Sequence, residues 1–547
     1  MIGVIADPSQ NSVVCEFFEL FKTPWEFHRS ERKYDVVLCC GNATYTGFAK
    51  LVVSYASAQS AAEDIKGPAR IAASKQYQIP IYCGTTSFPE NDGQLLVDQS
   101  SGECLAYSYS SGDMIRAQIG YDLFNEIRTL LTIGQPVIHA ATPTLELHIA
   151  LLRDLIVESG VALVEIPPVP DAHPFIACLT HDVDHPSIRK HKWDHTVLGF
   201  VYRATVGSLL QAIRGGISWR GFLKNAVATL KLPFVQIGLA SDFWSDFDDR
   251  YLDVENVRHS TFFVIPFSNR PGKNSQGAAP AFRGAKYGAA DVASSIRKLK
   301  DSGCEIGLHG IDAWIDSDLG RVEFEEIRKL CGDSQIGVRM HWLYFDRNSP
   351  KTLETAGANY DSTVGYNETV GYRAGTAQAY KPFEVEQLIE LPLQIMDTAL
   401  FYPSHLGLTP AQAKVLVDRL QAEVGQFGGC LTINWHDRST APERLWVTTY
   451  RDLLESLTNR GAWFATASQA VAWFRKRRAV VFEGNSSDPT TLRVNVASDE
   501  QSQLPALRLR IHNPRELRGT ECQNAREYVD QPLTTSVDLR ICSVANC

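Results

Sequence analysis

The sequence predicts an α/β chain with a parallel sheet at its centre, a small α/β domain before it and a small β-rich domain after it. Three observations predict this. Apolar strand-like runs alternate with amphipathic helical runs between residues 175 and 477. A shorter alternation of the same kind fills the first 165 residues and ends in the proline-rich Ile166-Pro167-Pro168-Val169-Pro170. After Arg478 the pattern changes to short alternating strands broken by Gly, Pro and Asn.

The predicted boundaries are residues 1–165, 171–477 and 480–547. In the first domain the strand candidates are 2–6, 35–40 and 79–83, and the helix candidates are 13–21, 120–133 and 144–159. Cys83-Gly84 imitates a nucleophile turn, but a structural or docking role suits that domain better. The prolines read as a linker. In the central domain the strand candidates are 175–179, 260–265, 305–308, 336–340 and 430–435. Residues 285–302 and 445–475 read as helices packed outside the sheet. In the last domain 492–496, 507–511 and 536–541 alternate as strands.

Residues 186–235 interrupt the central pattern. Arg189, Lys190, Lys192, Arg203, Arg214, Arg220, Lys224 and Lys231 stand there against a single acid, Asp194, with apolar residues between them. A basic amphipathic insert suits either a peripheral membrane contact or an anionic substrate. The plainer reading is a helical pair over the mouth of the central domain.

The 547 residues are too many for one core. With 44% apolar and 21% charged residues the composition is that of ordinary globular proteins, and the net charge of -9 argues against general nucleic-acid binding. The twelve cysteines include no CxxC pair, so a cysteine zinc site is not expected. They read as reduced core residues of a cytoplasmic protein, with a bridge among Cys522, Cys542 and Cys547 left open. The N-terminus, Met1-Ile2-Gly3-Val4-Ile5-Ala6-Asp7, reads as a first strand rather than a signal peptide. No run of about 18 uninterrupted apolar residues occurs, so no transmembrane helix is predicted.

The chemistry concentrates at strand ends. Thr180-His181-Asp182-Val183-Asp184-His185 places two carboxylates and two imidazoles after an apolar run. Burying such groups without partners is costly, so they line a cleft rather than a core. Further segments are Glu305–Trp314 with His309, Gly337–Trp342 with Arg339 and His341, Gly371–Thr376 with Arg373, and Leu431–Asp437 with Trp435 and His436. Three strand-end histidines beside two aspartates form a candidate active site of a parallel α/β fold.

On these residues, about 175–476 resemble the polysaccharide deacetylase (NodB-homology, carbohydrate esterase family four-like) family. Thr180–Asp184 is similar to its first motif, His309 to the first histidine of its second, Arg339 to the arginine of its third, and Leu431–His436 to its last. Ser260–Val264 is similar to the family's second core strand. The resemblance implies an irregular (β/α) barrel and removal of an acetyl group from an N- or O-acetylated sugar, with one divalent metal ion, Zn2+ by preference. It implies Asp182 as general base, Asp184 and His309 as metal ligands, and His436 as the general acid that protonates the leaving amine or alkoxide. Arg339 would orient Asp182, and Arg373 and Trp435 would contact substrate. The family's second metal-binding histidine falls at Ala313. His341, His185 and Asp312 are the candidate replacements, with His341 favoured. The substrate expected is an acetylated carbohydrate of bacterial surface polysaccharide biosynthesis. The alternatives are an inactive glycan-binding relative and a hydrolase of non-sugar C–N bonds.

Overall fold

The computed structural model describes all residues except 42, 57–68, 91–92, 193, 216, 257, 485–490, 497–502, 515–526 and 541–547. At its centre is a nine-stranded sheet in which all pairings are parallel. Its order is Ile389–Glu390, Tyr360–Asp361, Val338–Met340, Glu305–Gly310, Thr261–Val264, Ile176–Val183, Cys430–Asn434 and Ile395–Met396, with Trp463–Ala465 also paired to the Ile176 strand. The sheet curls into part of a barrel. All five strands predicted for this region are present. The other four, Trp463–Ala465 included, are two or three residues long, too short for a period of two to register.

Ile176–Val183 runs through the middle and is buried at every position. A strand covered on both faces reads as a continuous apolar run, and here polar side chains break that run only where partners meet them. Register then gathers the chemistry. Thr180 lies opposite Asn434 and Thr261, Asp182 opposite Phe263, and His309 opposite Arg339. The polar residues therefore converge at the C-terminal end of one parallel sheet, where ligands bind in such folds.

The covering helices begin and end on capping residues. Asp316 accepts hydrogen bonds from Asp318 and Leu319 at the start of Ser317–Cys331, and Gly332 closes it in the left-handed conformation. Thr409 and Gln412 form a capping box on Pro410–Phe427, and Thr466 and Gln469 another on Ala467–Arg478. The single helix expected over 445–475 is two, Val447–Asn459 and Ala467–Arg478. The Trp463–Ala465 strand separates them, because Gly461 (φ +76°) turns the chain back to the sheet. The helix expected over 285–302 begins only at Ala293, after a 3-10 turn.

Among the described residues of the first 165, nine strands form a second sheet, parallel on one side and antiparallel on the other. The three predicted helices are present as Asn11–Leu20, Leu123–Thr132 and Thr144–Glu158. Cys83 is buried rather than presented at an open turn. Burial pushes its thiol up, and its backbone N–H donates to the buried Glu126.

Residues 166–170 are not a solvated linker but are buried throughout. The Ile166 carbonyl accepts from Arg477 at 2.8 Å and that of Pro168 from Gly429 at 2.8 Å. After the barrel, Val481–Gly484, Thr491–Asn495 and Val537–Arg540 form one small sheet. Leu507–His512 pairs instead with Leu163–Glu165 from before the barrel. Cys522, Cys542 and Cys547 lie outside the described residues.

Candidate metal centre

Alternation along the central strand sorts its polar residues. His181 points into the core. Its Nδ1 lies 2.7 Å from the Trp435 carbonyl and its Nε2 2.8 Å from Glu255. Asp182 faces the other way. Its Oδ1 accepts from Arg339 at 3.1 Å and its Oδ2 from Asn434 at 2.7 Å. Arg339 is fully buried; it also donates to Thr180 Oγ1 and to the backbone and hydroxyl oxygens of Ser362. These bonds fix the guanidinium, and it fixes the carboxylate.

Two residues on, Asp184 meets three imidazoles. Its Oδ1 lies 3.3 Å from His309 Nε2 and 3.7 Å from His341 Nε2, and its Oδ2 lies 3.8 Å from His436 Nε2. One ligating atom from each of Asp184, His309 and His341 falls within 4.8 Å of the others. The His309 Nδ1 sits 2.9 Å from the Arg339 carbonyl. A carbonyl only accepts, so Nδ1 carries a proton there and Nε2 is the nitrogen turned to Asp184. That is how a ligating histidine is oriented from behind. Burial holds the His341 imidazole well below its ordinary range, against the opposite pull of Asp184. Against its own burial, Asp184 is held well below the usual carboxylate range by the surrounding imidazoles.

Asp184 Oδ1 is buried with no hydrogen-bond partner among the described residues. An orphaned anionic oxygen between two imidazole nitrogens fits a divalent cation, and one carboxylate with two histidines is a familiar zinc donor set with positions left open.

His436 is held by a residue the sequence did not single out. Its Nδ1 lies 2.6 Å from Asp397 Oδ1, and its backbone N–H donates to Asp397 Oδ2 at 2.8 Å. Burial opposes a charge on His436, but Asp397, with Asp184 and Asp182 beyond it, outweighs burial and pushes the imidazole up to about 10. Nδ1 is committed to Asp397, so Nε2 is the nitrogen that faces the cleft.

These groups line a cavity of about 450 Å³, with Phe282, Trp342, Tyr344 and Tyr402 around them. Trp342 (φ +65°) and Leu343 (φ +51°) both adopt the left-handed conformation, strained for such side chains. Asn367 donates to the Trp342 carbonyl at 3.0 Å and Arg283 to that of His341 at 2.7 Å, pinning the turn. Tyr402 is half-buried; burial pushes its phenol up, but Arg444 and Arg438 outweigh it and bring the phenol down to about 8.

No family model and no curated protein match this chain. Solved structures do, polysaccharide deacetylases among them. The chain is similar to a Mycobacterium smegmatis protein described as a polysaccharide deacetylase, at 19% identity and a TM-score of 0.35, over 56% of this chain and 94% of that one. It is similar to Puue allantoinase at 14% identity and a TM-score of 0.34, over 56% and 93%. A CE4-family pseudoenzyme from Bacillus anthracis is similar at 9% identity and a TM-score of 0.27, over 55% and 66%. At TM-scores this low, the chemistry rests on the geometry above.

Of the eight residues singled out in the sequence, six meet in the cleft or support it: Asp182, Asp184, His309, Arg339, His341 and His436. Two do not. Trp435 is a core residue, stacked on Tyr450 at 5.1 Å, because alternation turns it away from the face that presents Asn434 and His436. Arg373 donates to the Gly365 carbonyl at 2.8 Å and lies over the Phe345 ring, and its own carbonyl accepts from Gln135. Its loop clasps the N-terminal segment: Tyr372 donates to the Ala140 carbonyl at 2.7 Å, and a Cβ on Gly371 would stand 2.1 Å from that oxygen. The other two candidate ligands are also committed. Asp312 accepts from Lys273 and Arg270, and His185 Nδ1 lies 3.1 Å from His191. Ala313 is fully buried beneath Gly320, in the core rather than the cleft.

Proposed function

We propose that this chain is a metal-dependent hydrolase that removes an acetyl group from an acetylated sugar. The observation that carries the proposal is the convergence of Asp184, His309 and His341 around an orphaned carboxylate oxygen, in a cavity that also presents Asp182 and His436. Asp184, His309 and His341 would hold the cation. A bound divalent cation lowers the pKa of water and polarises a carbonyl. Asp182, positioned by Arg339 and Asn434, accepts the proton from the attacking water. His436, kept protonated by Asp397, gives a proton from Nε2 to the leaving amine or alkoxide. The rim aromatics Phe282, Trp342 and Tyr402 offer flat apolar faces against which a sugar ring can lie.

His341 supplies what Ala313 lacks, and this favours an active hydrolase over a binding relative. We place the reaction in the cytosol, in assembly of a bacterial surface polysaccharide. The test is acetate release from N- and O-acetylated sugars beside linear and cyclic amides, with and without added Zn2+ or Co2+. Metal-dependent acetate release from sugars is expected. Turnover of the amides alone would refute the sugar reading, and no turnover with metal bound would refute catalysis.

A further inference from the structure

The insert after the central strand folds as two packed helical segments. His195–Tyr202, the π-helical Arg203–Gly207 and Ser208–Ile213 form one rod, and Trp219–Gln236 lies alongside it. Their inner faces are accounted for. Val197, Phe200, Ala204, Leu232 and Val235 pack on Ile188, Trp244 and Ala441. The outer face is apolar as well. On the second helix Trp219, Leu223, Val227, Leu230 and Phe234 recur every third or fourth residue, and Leu230 is 74% exposed. On the rod Leu198, Tyr202 and Ile213 stand in solvent, Ile213 at 64%. A contiguous exposed apolar face of this kind marks an interaction site.

Its charge identifies the partner. In a chain of net charge -9, no Asp or Glu occurs from His195 to Ser241. Arg214 and Arg220 flank the turn between the helices. Lys224 and Lys231 border the outer stripe. All four are exposed, and none forms an ion pair among the described residues. An apolar stripe edged by unpaired cations matches acyl chains beneath anionic headgroups. A second copy fits poorly, because a two-fold contact would set this patch against itself, cation against cation. The stretch His195–Ile213 is long and apolar enough by length and composition to cross a membrane, with a mean hydropathy of 1.3, although no uninterrupted apolar run marks it in the sequence. A third of that stretch is buried against the body of the protein, which suits lying in the interface rather than spanning it.

We infer that this helical pair seats the protein on an anionic membrane surface and brings the cleft to it. The pair is footed on the wall of the site. His195 lines the cavity, Ala441 lies just past His436, and Trp244 Nε1 donates to Glu443 at 2.8 Å. The substrate that suits this placement is an acetylated glycan carried on a lipid, a deduction that rests on the hydrolase reading.

Flotation of the full chain with phosphatidylcholine vesicles, with and without phosphatidylglycerol, tests the seat apart from any turnover. Binding to the anionic vesicles that weakens with salt and is released by alkaline carbonate is expected. Ile213→Ser/Leu223→Ser/Leu230→Ser abolishes it with an unchanged melting temperature, since these side chains stand in solvent. Lys224→Gln/Lys231→Gln weakens it about 25-fold, at roughly fivefold per cation. Both variants lose turnover of an acetylated glycolipid held in vesicles but keep that of the same sugar free in solution. No flotation, equal binding to neutral vesicles, carbonate-resistant insertion, or a dimer that the serine variant dissolves would each overturn the inference.

Discussion

Asp397→Asn tests how the proposed general acid is tuned. Asp397 is fully buried and contacts His436 Nδ1 at 2.6 Å. The variant keeps the shape and loses the charge. A hydrogen bond between charged partners contributes about 1.5–3 kcal/mol, and about 1.4 kcal/mol shifts a pKa by one unit. The His436 imidazole, pushed up to about 10 in the parent, should therefore fall by about one to two units. The sign follows from its role. The protonated form donates, so activity is lost as pH rises through this pKa, and lowering the pKa moves the alkaline limb to lower pH. The assay is kcat/KM against pH for parent and variant at saturating Zn2+. A bound cation shifts both profiles alike, so the difference between them reads Asp397. An alkaline limb at the same pH in both proteins would refute the assignment of His436 as an acid tuned by Asp397.

Three further outcomes follow from the packing. Asp182→Asn should abolish turnover, retain metal, and destabilise the fold by about 3–5 kcal/mol in denaturant unfolding, because it strands the buried Arg339 guanidinium. Ala313→His should restore no metal to a His341→Ala background, read by metal analysis, and should lower the melting temperature, since overpacking beneath Gly320 costs about 1–3 kcal/mol. Gly371→Val should speed proteolytic release of the N-terminal segment at an unchanged substrate KM, because the loop clasps Ala140 rather than substrate.

The strands that lead to Asp182, His309 and His436 are legible in the sequence because each is an apolar run long enough to register, ending in a polar group; the three-residue Val338–Met340 strand that carries Arg339 shows only through the apolar residues from Ile336 on. Asp184 and His341 are legible as cleft residues because strand-end residues of a parallel sheet face one cleft. Trp435 lies outside the cleft, as period-two alternation requires: Asn434 and His436 share the cleft face, and the residue between them cannot. The place of Arg373 is not legible, because a polar, glycine-rich loop has the same composition whether it binds a ligand or another part of the chain; the positive φ of Gly371 serves the close approach of Ala140. Asp397 follows a two-residue strand, and only the pairing of Ile395–Met396 with the His436 strand reveals it. The separation of Leu507–His512 from its neighbours depends on a pairing across more than 300 residues that no local pattern encodes.

Whether the metal site is complete decides between a hydrolase and a relic, and calorimetric titration of the metal-stripped protein with Zn2+ tests it most directly. One tight site per chain in the parent, lost in Asp184→Asn and in His341→Ala, is the expected result. Absence of a site in the parent, or a parent-like site in His341→Ala, would contradict a triad of Asp184, His309 and His341.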